Sequence, residues 1–152
     1  MSILLLRPVL KPDYNKLSEA YEVAADVTRK VGTTKIAVPR FFQYDGSSLP
    51  VAAWPIFGTP FSPHLMGASV FHDWIYHTHV VSKKVADRLF YEMLTEDGVD
   101  EARAWLMKTA VEEFGRASWK NDAQDRAYIA SLTQRIISDG RQPADYGLPP
   151  KP

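Results

Sequence analysis

The sequence predicts an α+β fold, in which an N-terminal antiparallel β hairpin or small sheet is followed by a bundle of about four helices. Two observations carry this prediction. Short β-compatible segments with interspersed polar residues lie before Pro50, whereas long segments with apolar residues at helical spacing lie after Pro63. Strands that come first and helices that come afterwards indicate an α+β arrangement rather than alternating α/β units.

The N-terminal part contains three segments with strand character. Ile3–Leu10 is apolar and β-compatible, and Tyr21–Val31 carries valines with polar residues between them. Gly32-Thr33-Thr34 suits a hairpin connection to the next segment, Lys35–Val38. Pro39 then marks a strand end or an edge position, because proline has no N–H to donate to a ladder.

A structured loop is predicted between the strands and the helices. Residues Tyr44–Pro63 are rich in Gly, Pro and Ser and also carry several aromatic side chains. Asp45-Gly46 suits a turn, since an Asp side chain can bond the backbone ahead of it and Gly tolerates a positive φ.

Four helices are predicted in the second part: Leu65–His77, Ser82–Thr95, Asp100–Phe114 and Asp122–Ser138. The first carries apolar residues on more than one face, which is typical of a buried helix. Ser82 is a suitable N-cap for the second, and Gly98 stands where that helix should stop. For the third helix we expect an inward-facing stripe formed by Ala102, Trp105, Leu106 and Ala110.

The length of 152 residues fits one domain. We expect a single α+β domain over residues 1–140. The segment 141–152 holds four prolines and predicts an extended or mobile C-terminal tail.

Composition argues against several classes of function. The 18 Lys and Arg residues balance the 18 Asp and Glu residues, so the chain lacks the net positive charge expected of a nucleic-acid-binding protein. The absence of cysteine removes disulfides, thiolate nucleophiles and Cys-based zinc sites, which fits a reducing cytoplasm. No stretch approaches the roughly 20 apolar residues of a membrane span, so no transmembrane segment is expected.

One group of side chains has a pattern suited to chemistry. Tyr76 follows His72 by four residues and therefore lies one turn along the same helix face. A short connection would pack the next helix antiparallel and turn Asp87 back toward both side chains. A His whose one ring nitrogen is held by a carboxylate keeps a defined tautomer, and its other nitrogen can take a proton from water.

A metal site is a second candidate feature. Asp73 points about 100° around the helix from His72 and would face a different neighbour. The turn at Asp45 is a natural source of further oxygen atoms. Carboxylate and backbone carbonyl oxygens are the ligands that Ca²⁺ prefers, although another divalent metal would also suit them.

The segment from His72 to Met93, with His-Asp-Trp-Ile-Tyr and then Ala-Asp-Arg-Leu-Phe, resembles the catalytic helices of phospholipase A-two enzymes, especially the prokaryotic type. That resemblance covers about two dozen residues. It implies His72 as general base, Asp87 and Tyr76 as its orienting partners, and Asp73 as a calcium ligand. The glycine-rich calcium loop and the disulfides of the secreted enzymes have no counterpart here.

A broader resemblance runs from about residue 20 to 120. Its motifs are Asp-x-x-Ser-x-Pro at Asp45–Pro50, His-Asp-x-x-Tyr at His72–Tyr76 and Ala-Asp-x-x-Phe at Ala86–Phe90. These motifs are similar to those of an uncharacterised domain family that is common in tailed bacteriophages and prophages. The resemblance implies a phage origin, with the protein in the host cytoplasm or in the virion, and it implies no particular activity.

Two interpretations therefore stay open. In the first, the chain is a phage hydrolase that cleaves an ester, for example a phospholipid acyl ester, by metal-assisted attack of water. In the second, it is a tail, connector or assembly protein that contacts other virion proteins, and the His, Asp and Tyr side chains only pin two helices together.

Overall fold

The computed structural model describes residues 4–8, 21–44, 53–58, 62–119 and 122–149. Strands come first within these ranges: β1 (Leu6–Pro8), β2 (Tyr21–Val23), β3 (Val27–Val31), β4 (Thr34–Val38) and β5 (Gln43–Tyr44). Helices follow: α1 (Trp54–Phe57), α2 (Pro63–Thr78), α3 (Lys83–Glu96), α4 (Glu101–Phe114) and α5 (Ala123–Ser138). The predicted α+β class is confirmed.

The described residues form two compact units, one drawn from residues 1–45 and 122–152 and the other from residues 46–121. The single domain expected over residues 1–140 stays a prediction. All strands of the described residues and α5 belong to the first unit, whereas α1 to α4 belong to the second.

Two small antiparallel sheets make up the β part of the first unit. One has the strand order β1-β2-β5, and the other is the hairpin β3-β4. The hairpin turns at Gly32, whose φ of +59° is readily adopted by glycine, and it pairs Val27 with Val38. The predicted hairpin is therefore confirmed. The strand expected over Tyr21–Val31 is divided in two, with Asp26 between the halves accepting a 2.8 Å hydrogen bond from the backbone N–H of Arg40.

The C-terminal segment contributes to the first unit. A 3-10 helix spans Pro143–Tyr146, and both Tyr146 and Leu148 are buried. The Tyr146 hydroxyl donates a 2.6 Å hydrogen bond to Asp26, and Arg141 forms an ion pair with the same carboxylate. The expectation of an extended or mobile tail is thus wrong for Pro143–Leu148. Contacts with residues that are distant in the sequence hold this segment in place, although its proline content predicted an extended or mobile chain.

The helices of the second unit follow the predicted boundaries closely. Every residue of α2 from Ala68 to Tyr76 is buried, which confirms the expectation of a buried helix. The Ser82 side chain accepts a hydrogen bond from the Val85 N–H at 3.3 Å and caps α3 as predicted. Within the loop predicted over Tyr44–Pro63, the structure instead forms the short helix α1.

The inward face of α4 differs from the prediction. Ala102, Trp105 and Leu106 are exposed, with Trp105 and Leu106 at 56% and 49% relative accessibility. The buried side chains are Ala104, Met107 and Val111. Both stripes are apolar and have helical spacing, so the pattern in α4 did not distinguish them. Packing against α3 selects the stripe of smaller and more flexible side chains.

Within the part of the chain that the structure describes, no helix combines the length and the apolar character that crossing a bilayer requires.

The orientation of α4 can be tested with two neighbouring residues. Met107→Ala should lower the free energy of unfolding by about 2–5 kcal/mol, because it removes a fully buried side chain. Leu106→Ala should cost less than about 1 kcal/mol, because that side chain is half exposed. Urea denaturation of both variants measures the difference, and a larger loss for Leu106→Ala would contradict the observed orientation.

Candidate functional site

A buried cluster joins α2 to α3. Nε2 of His72 lies 2.9 Å from Oδ1 of Asp87, and the Tyr76 hydroxyl donates to the same oxygen at 2.6 Å. His72 and Tyr76 share a face of α2 because they are one turn apart. The predicted juxtaposition of these three side chains is confirmed, while their catalytic role stays a prediction. We call these three residues and Lys83 the Asp87 cluster.

Asp87 is ionised in this cluster. Burial alone would raise the pKa of its carboxyl group, but hydrogen bonds from His72, Lys83 and Tyr76 outweigh burial and lower that pKa below 3.8. An ionised carboxylate can only accept hydrogen bonds, so the hydrogen between Asp87 and His72 belongs to Nε2. The cluster thus fixes one tautomer of the imidazole, with its proton directed at Asp87.

The imidazole of His72 lies between two rings. Its centroid is 4.2 Å from that of Tyr76 and 4.4 Å from that of Phe90, and the side chain has 0% accessibility. Burial lowers the pKa of His72 below its usual 6.5, and this effect exceeds the opposing influence of the Asp87 carboxylate. His72 is therefore neutral at pH 7. Its Nδ1 atom is buried and has no hydrogen-bond partner among the described residues.

Lys83 completes the cluster and was missed in the sequence analysis. Its Nζ atom donates to Oδ2 of Asp87 at 2.7 Å and to the carbonyl oxygen of Val111 in α4 at 3.0 Å. Both carboxylate oxygens of Asp87 are thereby engaged. The spacing of four residues between Lys83 and Asp87 was a usable signal, because side chains at i and i+4 are neighbours on a helix.

Tyr76 is fixed from the side of α4. Gly115, at the end of α4, lies so close that an added Cβ would be 2.7 Å from the Tyr76 hydroxyl oxygen. The Trp119 indole meets the Tyr76 ring edge-on at 5.0 Å and stacks on the His79 ring at 4.0 Å. Burial raises the pKa of Tyr76 far above its usual 10, so the phenol remains a hydrogen-bond donor. The Trp119 side chain is itself partly buried.

The two predicted metal ligands differ in what the structure describes. The Asp73 carboxylate is fully buried, and its Oδ2 atom lies 3.8 Å from Nε2 of His77. Asp45 lies outside the described residues. Among the residues that are described, no group of three or more His, Asp or Glu side chains is arranged to hold a metal ion. Calcium binding by Asp73 and Asp45 stays a prediction.

Comparison with known proteins assigns the chain to a sequence family. Residues 18–111 match the model of a family described as "Protein of unknown function (DUF1353)", and these residues include the whole Asp87 cluster. No solved structure matches the chain significantly.

Two curated proteins of Sinorhizobium fredii (strain NBRC 101917 / NGR234) resemble parts of the chain. The uncharacterized protein y4iH is 35% identical over 71 residues, which are 47% of this chain and 30% of the relative. The uncharacterized protein y4jT is 35% identical over 81 residues, which are 53% of this chain and 24% of the relative. The matched segments therefore span less than a third of either relative.

The contact between Gly115 and Tyr76 can be tested by a double-mutant cycle. Gly115→Ala should lower the free energy of unfolding by about 1–3 kcal/mol, because the new methyl group would overlap a hydroxyl that Asp87 holds in place. In a Tyr76→Phe background the same substitution should cost less, since the nearest atom is gone. Urea denaturation of the four proteins gives the coupling energy. Equal costs in both backgrounds would contradict the contact.

Proposed function

Because the chain belongs to the DUF1353 family, whose function is unknown, we propose from its own residues that it is a bacteriophage-encoded ester hydrolase in which His72 is the general base. The substrate class that we propose is a phospholipid acyl ester. The support for this class and for a phage origin is the resemblance of the His72–Tyr76 and Ala86–Phe90 motifs described above. The protein would act in the host cytoplasm or as part of the virion.

One observation carries the proposal, namely the unequal state of the two nitrogens of His72. Nε2 is bonded to Asp87, whereas Nδ1 has no hydrogen-bond partner among the described residues. Buried polar atoms in native proteins are nearly always paired, so an imidazole kept only for structure would be expected to use both nitrogens. A neutral imidazole with one fixed proton and one available lone pair is the form that a general base requires.

The Asp87 cluster is suited to ester hydrolysis in two steps. Nδ1 takes a proton from water as the water oxygen forms a bond to the ester carbonyl carbon. The tetrahedral intermediate then breaks its bond to the alcohol oxygen, and the imidazolium returns the proton to that oxygen. Asp87 stabilises the imidazolium between the two steps without taking its proton. Tyr76 holds the Asp87 carboxylate in place by its 2.6 Å hydrogen bond.

This mechanism requires that water and the substrate reach His72. His72 has 0% accessibility, so a water molecule and an ester carbonyl can reach Nδ1 only if covering side chains are displaced. A lipid substrate is compatible with such a displacement, because apolar acyl chains can replace apolar side-chain contacts.

Fatty-acid release from liposomes tests the hydrolase directly. Mixed phosphatidylcholine and phosphatidylglycerol vesicles would be incubated with the protein in Ca²⁺, in other divalent ions and in EDTA, and the released fatty acid quantified. The wild type should release fatty acid, and His72→Ala should reduce the rate by about 100-fold or more. His64→Gln is the matched control, since His64 lies in the same helix but is exposed and outside the Asp87 cluster, and it should retain activity.

Two results would remove the hydrolase proposal: no release in any of the divalent ions, or full activity in His72→Ala. Loss of activity in EDTA and recovery in Ca²⁺ would support calcium as the cofactor. Equal activity in EDTA would remove calcium and leave the base intact.

A second function is favoured by the burial of His72, Tyr76 and Asp87. Asp87 is 1% exposed and both its oxygens accept hydrogen bonds, so the network can specify the pairing of α2 with α3 without any chemistry. In this candidate the chain is a virion or assembly protein that contacts other phage proteins. Mass spectrometry of purified particles of the encoding phage should then detect the chain in stoichiometric amounts, and its absence from particles would exclude this candidate.

A further inference from the structure

Phe41, in the first unit, has a strained backbone. Its φ is +78°, and it is one of two non-glycine residues with a positive φ among those that the structure describes. A bulky side chain rarely adopts this conformation, and such residues are concentrated at binding and catalytic sites. Two backbone hydrogen bonds fix the turn: the Phe41 N–H donates to the Val23 carbonyl at 2.9 Å, and the Phe42 N–H donates to the Pro39 carbonyl at 3.3 Å.

Two arginines lie against the ring of Phe41. The guanidinium carbon of Arg135 is 3.9 Å from the ring centre, and that of Arg40 is 4.6 Å from it. The two positive charges are therefore no further apart than the sum of these distances. A guanidinium group held against an aromatic ring keeps a defined position, and the N–H groups at its edge can still bind an anion.

Only one of these two arginines has an acidic partner in the described part of the chain. Nε of Arg40 donates to Oδ2 of Asp139 at 2.7 Å. Asp139 follows Arg135 by four residues, the spacing of a helical salt bridge, but its carboxylate contacts Arg40 and Arg141 instead. Asp26, the second acid in this group, pairs with Arg141. Three guanidinium groups thus share two carboxylates, and the charge of Arg135 is not paired.

Packing alone does not account for this arrangement. A cation–π contact needs one arginine, and a second arginine against the same ring adds repulsion between like charges. The positive φ of Phe41 is a further cost, which a residue that serves packing alone can avoid. An anion bound between the two arginines would offset the repulsion.

We propose that Arg135 and Arg40, held against the ring of Phe41, bind a phosphate group. A phosphate monoester carries about 1.5 to 2 negative charges at pH 7, and its several oxygens can accept hydrogen bonds from two guanidinium groups at once. Free inorganic phosphate and the phosphate of a lipid headgroup share this chemistry. The site includes no residue of the Asp87 cluster, so the inference goes beyond the proposed function.

Titration with inorganic phosphate, followed by NMR, tests the site. The full-length ¹⁵N-labelled protein would receive sodium phosphate at constant pH and ionic strength, and the Nε–H signals of Arg40 and Arg135 and the backbone N–H of Phe41 would be followed. These signals should shift and saturate in the wild type. Arg135→Gln should weaken binding by about tenfold or more, read from Arg40 and Phe41, because it removes charge-assisted hydrogen bonds.

Arg126→Gln is the matched control. Arg126 is an exposed arginine of α5 that precedes Arg135 by nine residues and therefore lies on the opposite side of the helix. Its substitution removes the same charge from the same helix and should leave phosphate binding unchanged. Phe41→Leu keeps an apolar side chain but removes the ring, and it should also weaken binding, because Arg135 then loses the surface that positions it.

Sedimentation with vesicles distinguishes the two sources of phosphate. Binding to vesicles that contain phosphatidic acid, absent with pure phosphatidylcholine and lost in Arg135→Gln, would assign the phosphate to a lipid headgroup. Saturable binding of inorganic phosphate without vesicle binding would assign it to a soluble ligand.

Two results would overturn the inference. One is the absence of saturable shifts with phosphate, together with equal vesicle binding by the wild type and Arg135→Gln. The other is an equal loss of binding in Arg126→Gln and Arg135→Gln, which would show a response to net charge rather than a site. Neither measurement requires turnover, so both are independent of the proposed hydrolase.

Discussion

The second unit depends on the ionised carboxylate of Asp87, which is nearly inaccessible to water. A buried charge is costly unless it is paired and hydrogen-bonded, and this one receives hydrogen bonds from His72, Tyr76 and Lys83. Those donors come from α2 and from the first turn of α3. Each donor also has a neighbour that fixes it: Phe90 stacks on His72, Gly115 abuts Tyr76, and the last turn of α4 binds Lys83.

This constraint links packing to chemistry. Because Asp87 is ionised, it stabilises a proton on Nε2 of His72, and because the imidazole is buried, it stays neutral at pH 7. Nδ1 is then left with a lone pair and no partner among the described residues. The same contacts that hold α2, α3 and α4 together therefore produce a state suited to a general base. They also close His72 off from solvent, which is why a structural role is the competing proposal.

The pairing of His72 with Asp87 could be predicted from the sequence because it depends on short-range geometry. A helical turn sets His72 and Tyr76 on one face, and a short connection returns the next helix past them. Capping was equally local: Ser82 accepts a backbone hydrogen bond at the start of α3, as its residue type predicts. The resemblance to an uncharacterised family is likewise confirmed over residues 18–111.

What could not be predicted depends on contacts between distant segments. The apolar stripes on the two faces of α4 look alike, and only packing against α3 buries Met107 rather than Leu106. The C-terminal segment has a composition typical of mobile chain, yet Tyr146 reaches Asp26 over a large sequence separation. Lys83 was not among the predicted site residues, and its hydrogen bond to the Val111 carbonyl depends on where α4 packs.

The most direct test of this account is the tautomer of His72 in the wild-type protein at neutral pH, read from the ¹⁵N chemical shifts of the two ring nitrogens. The account predicts a neutral ring with its proton on Nε2 and an unprotonated Nδ1. A ring that is charged at pH 7, or one that carries its proton on Nδ1, would contradict it.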